Sequence, residues 1–224
     1  MAAQPYFSPE LFRFLKQLKR NNRREWFAAN KGRYEEFYRN AALRFVADMV
    51  IPMRKISTWI AADPRPQGGS VFRIYRDTRF SSDKTPYKTH LGIQFTHAGA
   101  NEEVHDPCFY LHLEPDNCFA AAGCWHPDTR SLARIRDAIA WKPEDWKKAK
   151  RGLALEGDSL SRAPRGYPAT HPMLADLKRK DYVATVAFRE EQVLRPQFPR
   201  EFLRACEKLS PLTAFLCKAL GLAF

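Results

Sequence analysis

The hydrophobic period of this chain changes twice, and that limits what it can fold into. Up to about Pro52 apolar residues recur at helical spacing, over 70–126 they form short alternating runs, and beyond Asp128 the helical spacing returns. Helices flanking a block of consecutive strands specify an α+β fold. With no long polar linker, 1–224 reads as a single domain: helical over 1–60, mainly strands over 70–126, and mainly helical with one late strand over 127–224.

Ser8-Pro9-Glu10 predicts a helix start, with serine as N-cap and proline at the first helical position, and Leu11, Leu15 and Leu18 share one face. Asn21-Asn22 stops it. Asn22 with Glu25 resembles a capping box for a long second helix that carries Trp26, Phe27, Tyr34, Phe37, Tyr38, Ala41, Phe45 and Met49 and ends near Pro52. At this spacing the aromatics read as core rather than as a base-stacking surface.

Strands are predicted over 70–80, 91–97, 108–114 and 118–124 as an antiparallel meander, with a last strand over 182–189. The expected sheet has about four to five strands, flanked by N-terminal and C-terminal helices. Between 114 and 118, proline cannot enter a type I′ turn, so a three-residue loop with Asn117 in the left-handed region is expected, pairing Glu114 with Cys118. That register puts Phe109, Leu111, Leu113, Phe119 and Trp125 on one face and Tyr110, His112, Glu114, Cys118, Ala120 and Ala122 on the other. Small residues facing polar ones would leave room for a ligand above the sheet. Further on, Asp128 is expected to cap a helix with Leu132, Ile135, Arg136 and Ile139 aligned, and Pro143 opens a short helix. The segment 162–173 reads as an irregular connection. Leu203, Leu212, Phe215, Leu216 and Leu220 belong to closing helices.

The formal charge of +12 is unevenly spread: +7 over 1–60, −2 over 61–126 and +7 over 127–224. No apolar run approaches the ~18 residues of a membrane-spanning helix, and the first residues lack a leader's basic and apolar regions. A cytoplasmic protein with no membrane partner is expected. Five cysteines without a C-x-x-C spacing fit reduced thiols. His105, Cys108, His112, Cys124 and His126 are the candidate metal ligands, but Cys108 and His112 lie roughly 13 Å apart on a strand, too far to share one zinc. No metal and no cofactor is assigned, and no catalytic motif appears.

The densest polar feature is 70–88, which holds five of the six basic residues of 61–126. On a strand, Phe72, Ile74 and Phe80 would share one face and Arg73, Tyr75, Asp77 and Arg79 the other. Arg76 breaks the pattern, so it must be paired or sit at a bulge. The functional reading is an anion cradle: Arg73, Arg76 and Arg79, with Lys84 and Lys88 from the loop that folds back, would hold a phosphate- or carboxylate-bearing small molecule, and Tyr75, Tyr87 and Tyr110 would stack on it or hydrogen-bond it. His112 and Glu114, two residues apart beside Tyr110, are the acid-base candidates. The competing reading is a fastener, in which Asp77, Asp83, Glu102, Glu103 and Asp106 pair with these bases. A further alternative is nucleic-acid binding through the basic runs 19–24 and 147–151, and another is a ligand-free interaction module.

Four stretches together carry a resemblance. They are Phe14-Leu15-x-x-Leu18-Lys19-x-Asn21-Asn22-x-Arg24-Glu25-Trp26-Phe27, then Phe72-Arg73-Ile74-Tyr75-Arg76-Asp77-x-Arg79-Phe80-Ser81-x-Asp83-Lys84-x-Pro86-Tyr87-Lys88, then Gly123-x-Trp125-x-Pro127, then His171-Pro172 to Asp181. The chain resembles the domain of unknown function 2461 family, an uncharacterised family of mostly bacterial proteins, over almost its whole length. The resemblance implies a single domain and supplies no catalytic residues.

Overall fold

The computed structural model describes residues 4–99 and 106–224; Glu102, Glu103 and His105 lie outside the described residues. The α+β class holds. One antiparallel sheet of six strands has the order β1-β2-β3-β4-β6-β5, from β1 (Ile60–Ala61), β2 (Leu91–His97), β3 (Cys108–Glu114), β4 (Asn117–Cys124), β5 (Leu155–Glu156) and β6 (Tyr182–Phe188). Strands β2, β3, β4 and β6 lie where the alternation puts them. The two others have two residues each, too short for any period to register.

Helix α1 (Pro9–Arg20) begins as expected, with Ser8 extended at the cap position and Leu11, Leu15 and Leu18 buried, although the serine hydroxyl makes no capping bond. Asn22 is not a cap. Its side-chain Nδ2 donates to the Tyr87 carbonyl at 2.8 Å and its Oδ1 accepts from the Tyr87 amide at 3.1 Å, so it imitates a strand neighbour for a residue 65 positions away. Helix α2 (Arg24–Ala29) starts beyond it. After a break at Asn30, α3 (Lys31–Arg33) runs through a π-helical segment (Tyr34–Asn40) into α4 (Ala41–Ile56). Pro52 lies inside α4 rather than ending it. Met49 and Met53, 3% and 0% exposed, anchor the helix in the core on either side of the proline and hold its last turn against the lost hydrogen bond.

The predicted strand over 70–80 is absent. Only Val71, bridged to Ile93, and Tyr75, bridged to Tyr87, pair in strand fashion. Beyond them the chain turns back on itself, and its arginines and lysine bond within the loop instead of lining a ladder. Phe80, expected beside Ile74, is 96% exposed, while Ile74 is fully buried.

The β3–β4 hairpin also differs. Glu114 pairs with Asn117 rather than Cys118, because the loop has two residues and Asp116 adopts φ 64°. Proline followed by a residue at positive φ is the type II pattern. The shift of one residue exchanges the faces of β4: Phe119 lies opposite His112, while Cys118, Ala120 and Ala122 join Phe109, Leu111 and Leu113 in the core. Trp125, expected with them, is about half exposed.

Asp128 caps α5 (Thr129–Trp141), accepting from the amides of Arg130 and Ser131, and Pro143 opens α6 (Pro143–Ala149) as expected. Helices α7 (Leu174–Leu177) and α8 (Glu190–Val193) are single turns, and α9 (Phe198–Leu220) is one helix of 23 residues that carries all five leucine and phenylalanine positions expected in closing helices. It packs on the core face of the sheet. Phe202 meets Phe95 at 5.5 Å between ring centroids and Phe45 at 5.6 Å, which ties β2, α4 and α9 together. Among the described residues no helix is long and apolar enough to cross a membrane.

At the far end of β4, Gly123 has φ 130°, and a β-carbon there would stand 1.9 Å from the Tyr182 carbonyl oxygen. Buried Asp181 sits next to this close approach. It accepts from the His126 amide at 2.8 Å and the Asp158 amide at 3.0 Å, and faces the His126 ring at 3.1 Å. The Gly123 and Asp181 stretches of the resemblance therefore meet in a structural clasp.

Candidate functional site

With helices on one face, the sheet's other face carries Gln94, Tyr110, His112, Phe119 and Thr185, all half-buried. Tyr110 and His112 alternate on β3, so their side chains rise together. The Tyr110 hydroxyl hydrogen-bonds His112 Nδ1 at 3.2 Å, and the His112 ring is stacked between His90, at 4.4 Å, and Phe119, at 4.7 Å. Gly92 makes the approach possible, since a β-carbon there would lie 2.6 Å from the Tyr110 hydroxyl. His112 Nε2 stands 3.5 Å from Glu114 Oε2 and has no closer polar partner among the described residues. Glu114 in turn reaches Thr89 Oγ1 at 3.3 Å and Lys19 Nζ at 3.4 Å.

Two cations border this row. Lys88 Nζ lies 4.9 Å from the Phe72 ring centroid, and Phe72 leans on Tyr110 at 5.8 Å. Half-buried Lys88 has no carboxylate partner among the described residues; exposed Arg73 makes no direct ion pair among them, although its charge acts on Asp77, and it is close enough to act on Lys88. Burial and, after it, the Arg73 charge hold the Lys88 ammonium below its ordinary pKa. An ammonium so placed lacks the counter-charge that buried cations normally find.

The proton-bearing groups are tuned in different directions. Burial, then the His112 and Lys88 charges, push His90 down to about 4, with Glu114 opposing. Burial lowers His112 as well, against Glu114, and raises the Tyr110 phenol. Burial works against ionisation of Glu114, but the His112 and Lys19 contacts outweigh it and keep its pKa below the usual value. At neutral pH the row thus holds a phenol, neutral imidazoles and a carboxylate. The tautomer in which the phenol donates to Nδ1 leaves the ring proton on Nε2, facing Glu114.

The depressed histidines have a consequence for stability. Below about pH 6.5 the unfolded chain takes up protons that native His90 and His112 refuse, so stability is full above that pH and falls as the pH drops towards about 4. Denaturant unfolding at pH 7 and pH 5 is expected to differ by about 1–2 kcal/mol, discounted for solvent screening of part-buried groups. His90→Asn should remove most of that slope; an unchanged slope would show that His90 titrates normally in the fold.

The other predicted residues lie elsewhere. Arg76 is paired, as its position on the apolar face requires: its Nη1 bonds Asp83 and Thr85. Arg79 is held by Asp77, with Nη2 2.7 Å from Oδ2, and Lys84 Nζ donates to the Thr78 carbonyl at 2.9 Å. These three fasten the loop. Tyr75 turns away from Tyr110, to a cleft beside α2. The structure thus gathers Lys88, Tyr110, His112 and Glu114 on one face, with the Arg73 charge close enough to act on Lys88, and leaves Tyr75, Arg76, Arg79 and Lys84 outside it.

Sequence reasoning missed His90 and Phe119. His90 precedes β2 with the same parity as Gly92 and Gln94, which placed it on the polar face, but its position before the strand hid that. Phe119 was lost through the register error, and the open space expected above Ala120 and Ala122 is occupied by its ring. No thiol competes as a nucleophile: burial pushes Cys108 and Cys118 up to about 11 and Cys217 up to about 12. A cleft of about 730 Å³ between α5 and α9 mixes Arg134, Lys142 and Lys218 with Asp137 and Asp145, and so selects no charge.

No curated protein matches the chain. A family model described as "Conserved hypothetical protein (DUF2461)" matches residues 10–215. That span contains the fastened loop, the polar row and the Gly123–Asp181 clasp, and the chain belongs to the DUF2461 family.

Proposed function

We propose that the protein binds a small phosphate- or carboxylate-bearing molecule on the polar face of the sheet, with Arg73 and Lys88 as its counter-charges. The observation that carries this reading is Lys88, a half-buried ammonium beside a second cation, with no carboxylate partner among the described residues. A bound anion would supply the missing charge, and the guanidinium of Arg73 can take it in two parallel bonds. Tyr110 and His112 would stand next to the ligand; His112 Nε2 is buried and faces Glu114, so a proton exchanged with the ligand would pass through the Tyr110 hydroxyl that is bonded to Nδ1. Turnover therefore belongs to the same reading, with His112 as acid or base and Glu114 as its orienting partner.

Thermal unfolding against nucleotides, sugar phosphates and small carboxylates tests the proposal without presuming a reaction. A ligand at a hundred times its Kd adds about 2.7 kcal/mol, which raises the Tm of a chain this size by roughly 5–10 °C. Selective stabilisation by one small anion that persists at physiological salt is the expected result. Silence across the panel would leave the segment as a fastener.

A further inference from the structure

The cleft beside α2 is separate from the polar face and has a different character. It encloses about 470 Å³ between Arg24, Phe27 and Lys31 on one side and Tyr75, Arg76 and Tyr87 on the other. Three cations and no carboxylate line it. Arg76 is already paired with Asp83, but Arg24 and Lys31 are exposed and have no carboxylate partner among the described residues. The aromatic wall is rigid. Phe27 stacks on Tyr87 at 4.1 Å, the Asn22 side chain pins the Tyr87 backbone, and Tyr75 leans on both rings at 6.1 Å and 5.4 Å while keeping 53% of its surface exposed.

A half-exposed ring on a fixed aromatic base, flanked by cations, is the arrangement that stacks one base and holds its phosphates. Arg24 and Lys31 lie on either side of the break at Asn30 and both line the cleft, so each can meet a phosphate of a bound strand. Arg20 and Arg23, exposed and also without a carboxylate partner among the described residues, extend the positive surface from Arg24. We infer that this cleft binds single-stranded nucleic acid, with one base on Tyr75 and flanking phosphates on Arg24 and Lys31. A duplex, with its bases already stacked, offers no ring to Tyr75.

The test is binding of the full chain to a labelled single strand of about ten nucleotides, with the matching duplex and free mononucleotide as competitors, over a salt series. The expected result is single-strand binding preferred over duplex by at least about fivefold, the range a single stacked base supplies. Tyr75→Ala should weaken it about fivefold or more without changing the salt slope, whereas Tyr75→Phe should retain it. Arg24→Ala and Lys31→Ala should each reduce the slope of log affinity against log salt by about 0.7. Lys88→Met should change nothing, which separates this site from the small-anion site: either can fail without the other. Equal affinity for duplex, indifference to Tyr75→Ala in a variant that melts normally, or equally strong binding of the free mononucleotide would each overturn the inference.

Discussion

Asp181→Ala is expected to lower stability by about 2 kcal/mol, a fall in Tm of roughly 5 °C, because it removes a fully buried acceptor that two part-buried amide bonds share. The carboxylate is fully buried and accepts the amides of His126 and Asp158, from the segments that follow β4 and β5. His126 has φ 50°, a conformation a residue with a side chain adopts only when its neighbours hold it there, and its amide bond to Asp181 is one of those holds. Asp181→Asn keeps one acceptor oxygen and should lose about half as much. Urea unfolding of the three proteins measures this, and a loss below about 1 kcal/mol for the alanine variant would mean that the clasp contributes little.

Replacing Arg73 and Lys88 together by methionine is expected to weaken binding of a stabilising anion at least a hundredfold, since hydrogen bonds to charged groups contribute about 1.5–3 kcal/mol each. The same variant should unfold no earlier than the parent. Methionine loses the contact of the ammonium with the Phe72 ring, but removing a part-buried ammonium that has no carboxylate partner relieves a desolvation cost that offsets it. The two outcomes together separate a site from a fastener. A fastener loses stability when its cations are removed, as Arg76 would through Asp83 and Thr85. A site loses ligand. Denaturant melts and calorimetric titration of the same preparation read both, and a destabilised variant with unchanged affinity would contradict the assignment.

The elements that were legible in the sequence are those whose signal is local. The strands β2, β3, β4 and β6 announce themselves by alternation, and Asp128 and Pro143 mark helix starts within one turn of themselves. The errors arise where distant residues decide. The register of β3 and β4 depends on whether Asp116 accepts positive φ, and one residue of shift exchanged Phe119 with Ala120. Asn22 carries the local signature of a cap, yet its amide serves Tyr87 across 65 residues, a use no local pattern records. For 70–80 the alternation is genuine as far as Ile74, after which the arginines find partners within the loop and the period means nothing. Of the predicted site, the row Tyr110, His112 and Glu114 was readable because it lies on one strand. Its union with Lys88 and His90 was not, since β2 and the segment before it approach β3 only in the folded chain.

The most direct test of the account is a nuclear magnetic resonance titration of the protein with the anion that most raises its Tm, following the backbone amides and the imidazole and phenol side chains. The account predicts saturable shifts confined to Arg73, Lys88, His90, Tyr110 and His112, with the His90 and His112 rings moving together because they are stacked. Shifts that leave these five residues still and gather elsewhere, in the cleft beside α2 or between α5 and α9, would contradict it.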